Sequence, residues 1–160
     1  MPFREVINGV TNGPTEDDIR WVIVEMNARG EPDMENWHGW CFCHTTAGYI
    51  AEALDGAVYG YLVKDNPDAE LPLKGSYDGH DFAIVGHYLV DWWAKDMAGL
   101  SDRDIFDLSD PTDAAEAMRL YGSPDRWSRS KTNPIWDSRN GPPGKWNGKP
   151  SPGGWTGHNY

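Results

Sequence analysis

Three side chains far apart in the chain, Cys43, His80 and Asp91, could together perform acyl transfer. A thiolate attacks a carbonyl carbon, and an imidazole takes the thiol proton and returns it to the leaving group. A carboxylate behind the imidazole fixes the ring tautomer and stabilises the imidazolium. Cys43 is placed for this by a predicted helix, because it stands one turn before Ala47, Ile50, Ala51 and Leu54, which repeat at helical spacing until Gly56. At that helix N-terminus the dipole and the free amides favour a thiolate. The same amides, with the side-chain amide of Asn36 in the preceding aromatic loop, are the candidate oxyanion donors.

His80 and Asp91 are brought together by a predicted hairpin. His80–Val85 and Tyr88–Trp92 read as paired strands about Gly86-His87, and Gly at the first central position marks a two-residue type II′ turn. Val85 then pairs with Tyr88, Ile84 with Leu89, Ala83 with Val90 and Phe82 with Asp91. Alternation turns His80, Phe82, Ile84, Leu89, Asp91 and Trp93 to one face, and Asp81, Ala83, Val85, Tyr88, Val90 and Trp92 to the other. His80 and Asp91 become diagonal neighbours. Asp91 stands among Leu89, Val90, Trp92 and Trp93, where an unpaired carboxylate is costly, and His80 is its nearest partner. Asp81, on the opposite face, is expected in solvent, and His87 is expected to cap an exposed turn. A register slip of one residue would move Asp91 to the other face.

Competing readings concern the same residues. A Cys on a helix stripe is ordinarily plain core. Cys41 is a rival nucleophile, ranked lower because it precedes the stripe. His38 and His44 read as surface residues or as lining of the site. Cys41, Cys43, His44 and His80 could hold a zinc ion, but a C-x-C-H stretch with one distant His does not match paired ligand knuckles. Neither a metal nor another cofactor is expected. The Trp92-Trp93 pair reads as core.

The remaining elements are read from pattern. Thr15-Glu16-Asp17-Asp18 opens a helix over 15–28, with Thr15 as cap, Asp18 three residues on, and Ile19, Val22, Ile23 and Met26 as its stripe. Ala57–Val63 reads as a strand, 65–79 as a polar loop, Ile105-Phe106 as a short strand, and Pro111–Leu120 as a helix with Pro in its first turn. From Gly122 onward Gly and Pro supply 13 of 39 residues, too many for a packed core. Four Trp residues (127, 136, 146 and 155) punctuate that tail and are expected to dock on the body or on a partner.

The chain of 160 residues is sized for one domain. Residues 1–121 hold 8 basic and 23 acidic residues, a charge of −15, while 122–160 hold 6 basic and 2 acidic, a charge of +4. An acidic body repels phosphate backbones, which counts against duplex nucleic acid as its partner. No apolar run is long enough for a membrane span, and MPFREVINGV lacks the pattern of a secretory signal, so the cytoplasm is the default compartment.

The stretch His38-Gly39-Trp40-Cys41-Phe42-Cys43-His44-Thr45-Thr46-Ala47 resembles the nucleophile segment of papain-like cysteine peptidases. His80-Asp81-Phe82-Ala83-Ile84-Val85 followed by Tyr88-Leu89-Val90-Asp91-Trp92 resembles the His and Asp strands of the wider papain and transglutaminase-like superfamily, and the order Cys, His, Asp is the same. The resemblance covers residues 36–93. It departs at His44, where such enzymes often carry Trp, and in lacking the usual oxyanion Gln. It implies a papain-like α+β core over 1–121, to which composition and charge add a flexible basic tail over 122–160, and a thiol-dependent hydrolase or acyl transferase acting on a peptide or amide bond, with Cys43 as nucleophile, His80 as base and acid, and Asp91 as orienting group. The alternative is a non-catalytic acidic binding, inhibitor or assembly protein on the same fold.

Overall fold

The computed structural model describes residues 13–28, 42–73 and 78–130. Asn36, Cys41, His38 and Trp residues 136, 146 and 155 lie outside the described residues. The fold is α+β, with an antiparallel sheet covered on both faces. Three α-helices are described: α1 (Glu16–Ala28), α2 (Phe42–Ala53) and α3 (Pro111–Tyr121). Five strands form the sheet: β1 (Ala57–Leu62), β2 (Gly79–Val85), β3 (Tyr88–Val90), β4 (Ile105–Asp107) and β5 (Ser128–Arg129), in spatial order β4-β3-β2-β1-β5.

The expected capping of α1 is present: the Thr15 amide donates to Asp18 at 2.9 Å, and the Asp18 amide donates to the Thr15 hydroxyl at 3.2 Å. These contacts hold the Asp18 carboxyl below its ordinary range. The β2–β3 hairpin has the expected register, Val85 with Tyr88, Ile84 with Leu89 and Ala83 with Val90, and Gly86 supplies the positive φ of 57° that the turn needs.

The second strand of the hairpin is shorter than expected. It stops at Val90, and Trp93–Met97 form a π-helical turn rather than more strand. The cause is local: Asp91 Oδ1 accepts the Ala94 amide at 3.0 Å and caps the turn. A second departure lies at the start of the Gly- and Pro-rich region. Residues 122–130 are laid on the body, with Trp127 buried and β5 added to the free edge of β1.

Strand alternation divides the core in two. Ala83, Val85, Val58, Val90 and Ile105 face α1 and α2, meeting Ile19, Ile23, Ala47 and Ile50. Phe82, Ile84, Leu89 and Phe106 face the other way, against α3, Trp93, Trp127 and the loop residues Leu71 and Leu73. Every residue of β2 is buried, as expected for a strand covered on both faces.

Candidate active site

The site is built on this second face. His80 is fully buried, and its Nε2 lies 2.5 Å from Oδ2 of Asp91. The pairing follows from the hairpin register, which carries both side chains to one face, and from the capping turn that fixes Asp91 at the end of β3. The Tyr121 hydroxyl donates to the same Oδ2 at 2.8 Å. Asp91 therefore accepts three hydrogen bonds, from His80, Tyr121 and Ala94, and acts as an acceptor-only carboxylate. A carboxylate that accepts a hydrogen bond from Nε2–H of His80 corresponds to the ring tautomer with its lone pair on Nδ1, the nitrogen that would take a proton in base catalysis.

The surroundings hold this arrangement in place. Trp93 lies 5.1 Å from the His80 ring and Tyr121 stacks on it at 6.0 Å, which makes the setting apolar and strengthens each polar contact inside it. The Asp91 amide donates to the Asp104 carbonyl at 2.8 Å, and the buried Asp104 carboxylate is gripped by Arg20 of α1 at 2.8 and 2.9 Å. Tyr121 is pinned by the end of its helix. The final carbonyls of α3 are all engaged: Arg119 accepts from Glu70, Leu120 from Leu71, and Tyr121 from both Asn66 and Trp127. Gly122 then leaves the helix at φ 76°, tight against Asn66, where a side chain would be strained. Burial, and next the Asp91 charge, push the Tyr121 hydroxyl well above the ordinary phenol range, so it stays a donor.

Cys43 stands in the first turn of α2 and is buried, 8 % exposed. The body of α2 packs on the first face of the sheet, but its start abuts the π-helical turn, and Cys43 joins the cluster that holds Tyr61, Phe82, Trp93 and Tyr121. Tyr61 belongs to that cluster and borders His80. It sits opposite His80 in the β1–β2 register, with its ring edge-on to the imidazole at 6.3 Å. Burial first, and then the neighbouring Asp91 and Cys43, push its hydroxyl above the ordinary phenol range.

A second buried pair lies across the sheet. His44 Nδ1 and Asp81 Oδ2 are 2.9 Å apart, with both residues almost fully buried. Asp81 does face away from His80, but the expectation that it is solvated is overturned, because α2 covers that face and brings His44 onto it. His44 is likewise not a surface residue: it is fully buried against Asp81. The two histidines lie on opposite faces of the sheet, each held by its own carboxylate, and among the described residues no group of three His, Cys, Asp or Glu side chains is arranged to hold a metal ion. His87, at the hairpin turn, reaches Asp107 at 2.7 Å.

The described residues thus bring His80 and Asp91 into contact and place Cys43 in the apolar cluster whose aromatic members Tyr61, Phe82, Trp93 and Tyr121 surround the His80 ring, while Asn36 and Cys41 lie outside the described residues. A histidine oriented by a buried carboxylate and turned by its tautomer to present Nδ1 is equipped to remove a proton, and a thiol at a helix N-terminus is equipped to lose one. The sequence reading missed Tyr121 and Tyr61. Tyr121 was within reach, one position beyond the predicted end of α3 and four after buried Ala117; Tyr61 needed the β1–β2 pairing, a long-range contact with no local signal. Comparison with protein-family models, curated proteins and solved structures finds no match to this chain.

Proposed function

We propose that the chain is a thiol-dependent hydrolase or acyl transferase acting on a peptide or amide bond, with a papain-like arrangement of Cys43, His80 and Asp91. The observation that carries this reading is the buried His80–Asp91 pair, reinforced by Tyr121; the aromatic residues around the His80 ring share an apolar cluster with Cys43 at the start of α2, which supports it. Asp91 holds the His80 ring through Nε2 and is itself anchored through Ala94, Asp104 and Tyr121, which supports a fixed orientation of the imidazole.

In this reading the thiol proton passes to His80 Nδ1, and the resulting imidazolium is stabilised through Nε2–H by Asp91. The sulfur then forms a bond to the substrate carbonyl carbon. Collapse of the tetrahedral adduct breaks the bond to the leaving amine, which takes the proton from His80. Water or a second acceptor then releases the acyl group from sulfur.

The test is alkylation by iodoacetamide with the modified peptides mapped. Cys43 should react in preference to Cys41, although it is mostly buried, and His80→Ala should slow that reaction at neutral pH. Equal, slow labelling of both thiols is the result that removes the nucleophile. Cys43→Ser then separates enzyme from binding module, since it abolishes acyl release by the first and leaves partner binding by the second intact.

A further inference from the structure

We propose that Tyr61 is the side-chain donor that stabilises the oxyanion formed when the Cys43 sulfur attacks a carbonyl. The inference deepens the proposed function and rests on it. Tyr61 is 2 % exposed, and among the described residues its hydroxyl makes no hydrogen bond. Buried hydroxyls are nearly always satisfied, and one left open is retained at a cost in stability. The other phenol at the site, Tyr121, is fully engaged with Asp91, so the two tyrosines on either side of His80 differ in that one is used and one is held in reserve.

The position of the open hydroxyl indicates what would use it. The register of β1 against β2 sets Tyr61 directly across from His80, and the same cluster contains Cys43. A carbonyl approached by the sulfur within reach of the imidazole therefore lies in the neighbourhood of the Tyr61 hydroxyl. Burial together with the flanking negative groups keeps the phenol protonated, a neutral donor that would not compete with the thiolate for a proton. As sulfur bonds to carbon, the carbonyl π pair moves onto oxygen, and Tyr61 O–H donates to that oxygen without giving up its proton. An oxyanion donor of this kind acts most strongly in the transition state and hardly at all on a reaction that forms no oxyanion.

That difference supplies the experiment. Tyr61→Phe removes one oxygen and keeps the ring. Two reactions of Cys43 are followed in the full-length protein: acylation by p-nitrophenyl acetate, which passes through an oxyanion and releases p-nitrophenolate, and alkylation by iodoacetamide, which does not. The variant should lose about 10²-fold in acylation rate, the usual effect of deleting one such donor, while alkylation stays within about two-fold of the unmodified protein. Its thermal midpoint should be unchanged or higher, because an unsatisfied hydroxyl has been removed. Acylation that is unaffected, or that falls only in step with alkylation, overturns the role of Tyr61, and so does a lowered midpoint, which would make the hydroxyl structural. Should Cys43→Ser release p-nitrophenolate as fast as the unmodified protein, the thiol mechanism itself fails.

Discussion

Replacing Asp91 by Asn changes a single atom type at the centre of the site, and the hydrogen bonds around that atom set the consequences. The carboxylate offers acceptors in two directions: Oδ1 toward the Ala94 amide at 3.0 Å, and Oδ2 toward His80 Nε2 at 2.5 Å and the Tyr121 hydroxyl at 2.8 Å. Asparagine has one oxygen and one NH2 group, so it can serve only one direction. With its oxygen toward His80, the NH2 meets the Ala94 amide, donor against donor. With its oxygen toward Ala94, the NH2 meets His80, whose proton must then move to Nδ1, and the base is lost. The first orientation leaves an orphaned buried amide and the second forfeits the charge-assisted bonds, so either costs about 2–4 kcal/mol.

The effect on chemistry is larger than the effect on stability. An amide in place of the carboxylate behind a catalytic imidazole lowers turnover by up to about 10⁴-fold, and alkylation of Cys43 at pH 7 should slow by at least about ten-fold. Urea unfolding followed by tryptophan emission reads the first quantity, since Trp93 and Trp127 are buried beside the site. The iodoacetamide rate constant reads the second. A variant that loses stability but labels at the original rate would show that His80 and Asp91 are scaffolding, and the proposed base would have to be abandoned.

Two further outcomes concern other parts of the fold. Asp81→Asn should destabilise the fold by about 2–3 kcal/mol, because His44 loses a buried partner, yet leave alkylation of Cys43 within about two-fold; a loss of reactivity greater than that of Asp91→Asn would assign the thiol to the other pair. The Arg103 guanidinium, bound to Asp113 through two hydrogen bonds of 2.8 Å, holds that carboxyl below its ordinary value of 3.8. Its contribution to stability is thus complete above pH 3.8 and disappears as the pH falls through the depressed value, so acid titration should find Asp113→Asn less stable than the unmodified protein near neutrality and equal to it in strong acid.

What the sequence disclosed was local. Thr15 and Asp18 stand three residues apart and cap one another without help from the rest of the fold. Gly86-His87 sets the turn, the turn sets the register, and the register carries His80 and Asp91 to one face. What remained hidden depended on contacts across the fold. Nothing near Asp81 announces that α2 will lie over it, and nothing in a stretch rich in Gly and Pro announces that Trp127 will fill a gap beside Phe82, 5.0 Å between ring centres. The π-helical turn after Asp91 has an intermediate status: a carboxylate before two tryptophans reads as the end of a strand until its Oδ1 is seen to cap the next amides.

The same alternation explains why one strand carries two histidine–aspartate pairs. His80 and Asp81 are adjacent, so their side chains must leave β2 on opposite faces. Each reaches a complementary group from a different element, Asp91 at the end of β3 for His80 and His44 of α2 for Asp81. Because His44 directly follows Cys43, the Asp81 contact helps fix the first turn of α2 on one side of the sheet, while the thiol of that turn joins the aromatic cluster of the other. The second pair therefore fastens the start of α2 to β2. Because that pair lies on the face turned away from His80, breaking it weakens the contact between α2 and β2 without removing a group from the His80–Asp91 pair, and stability rather than Cys43 alkylation should register the change.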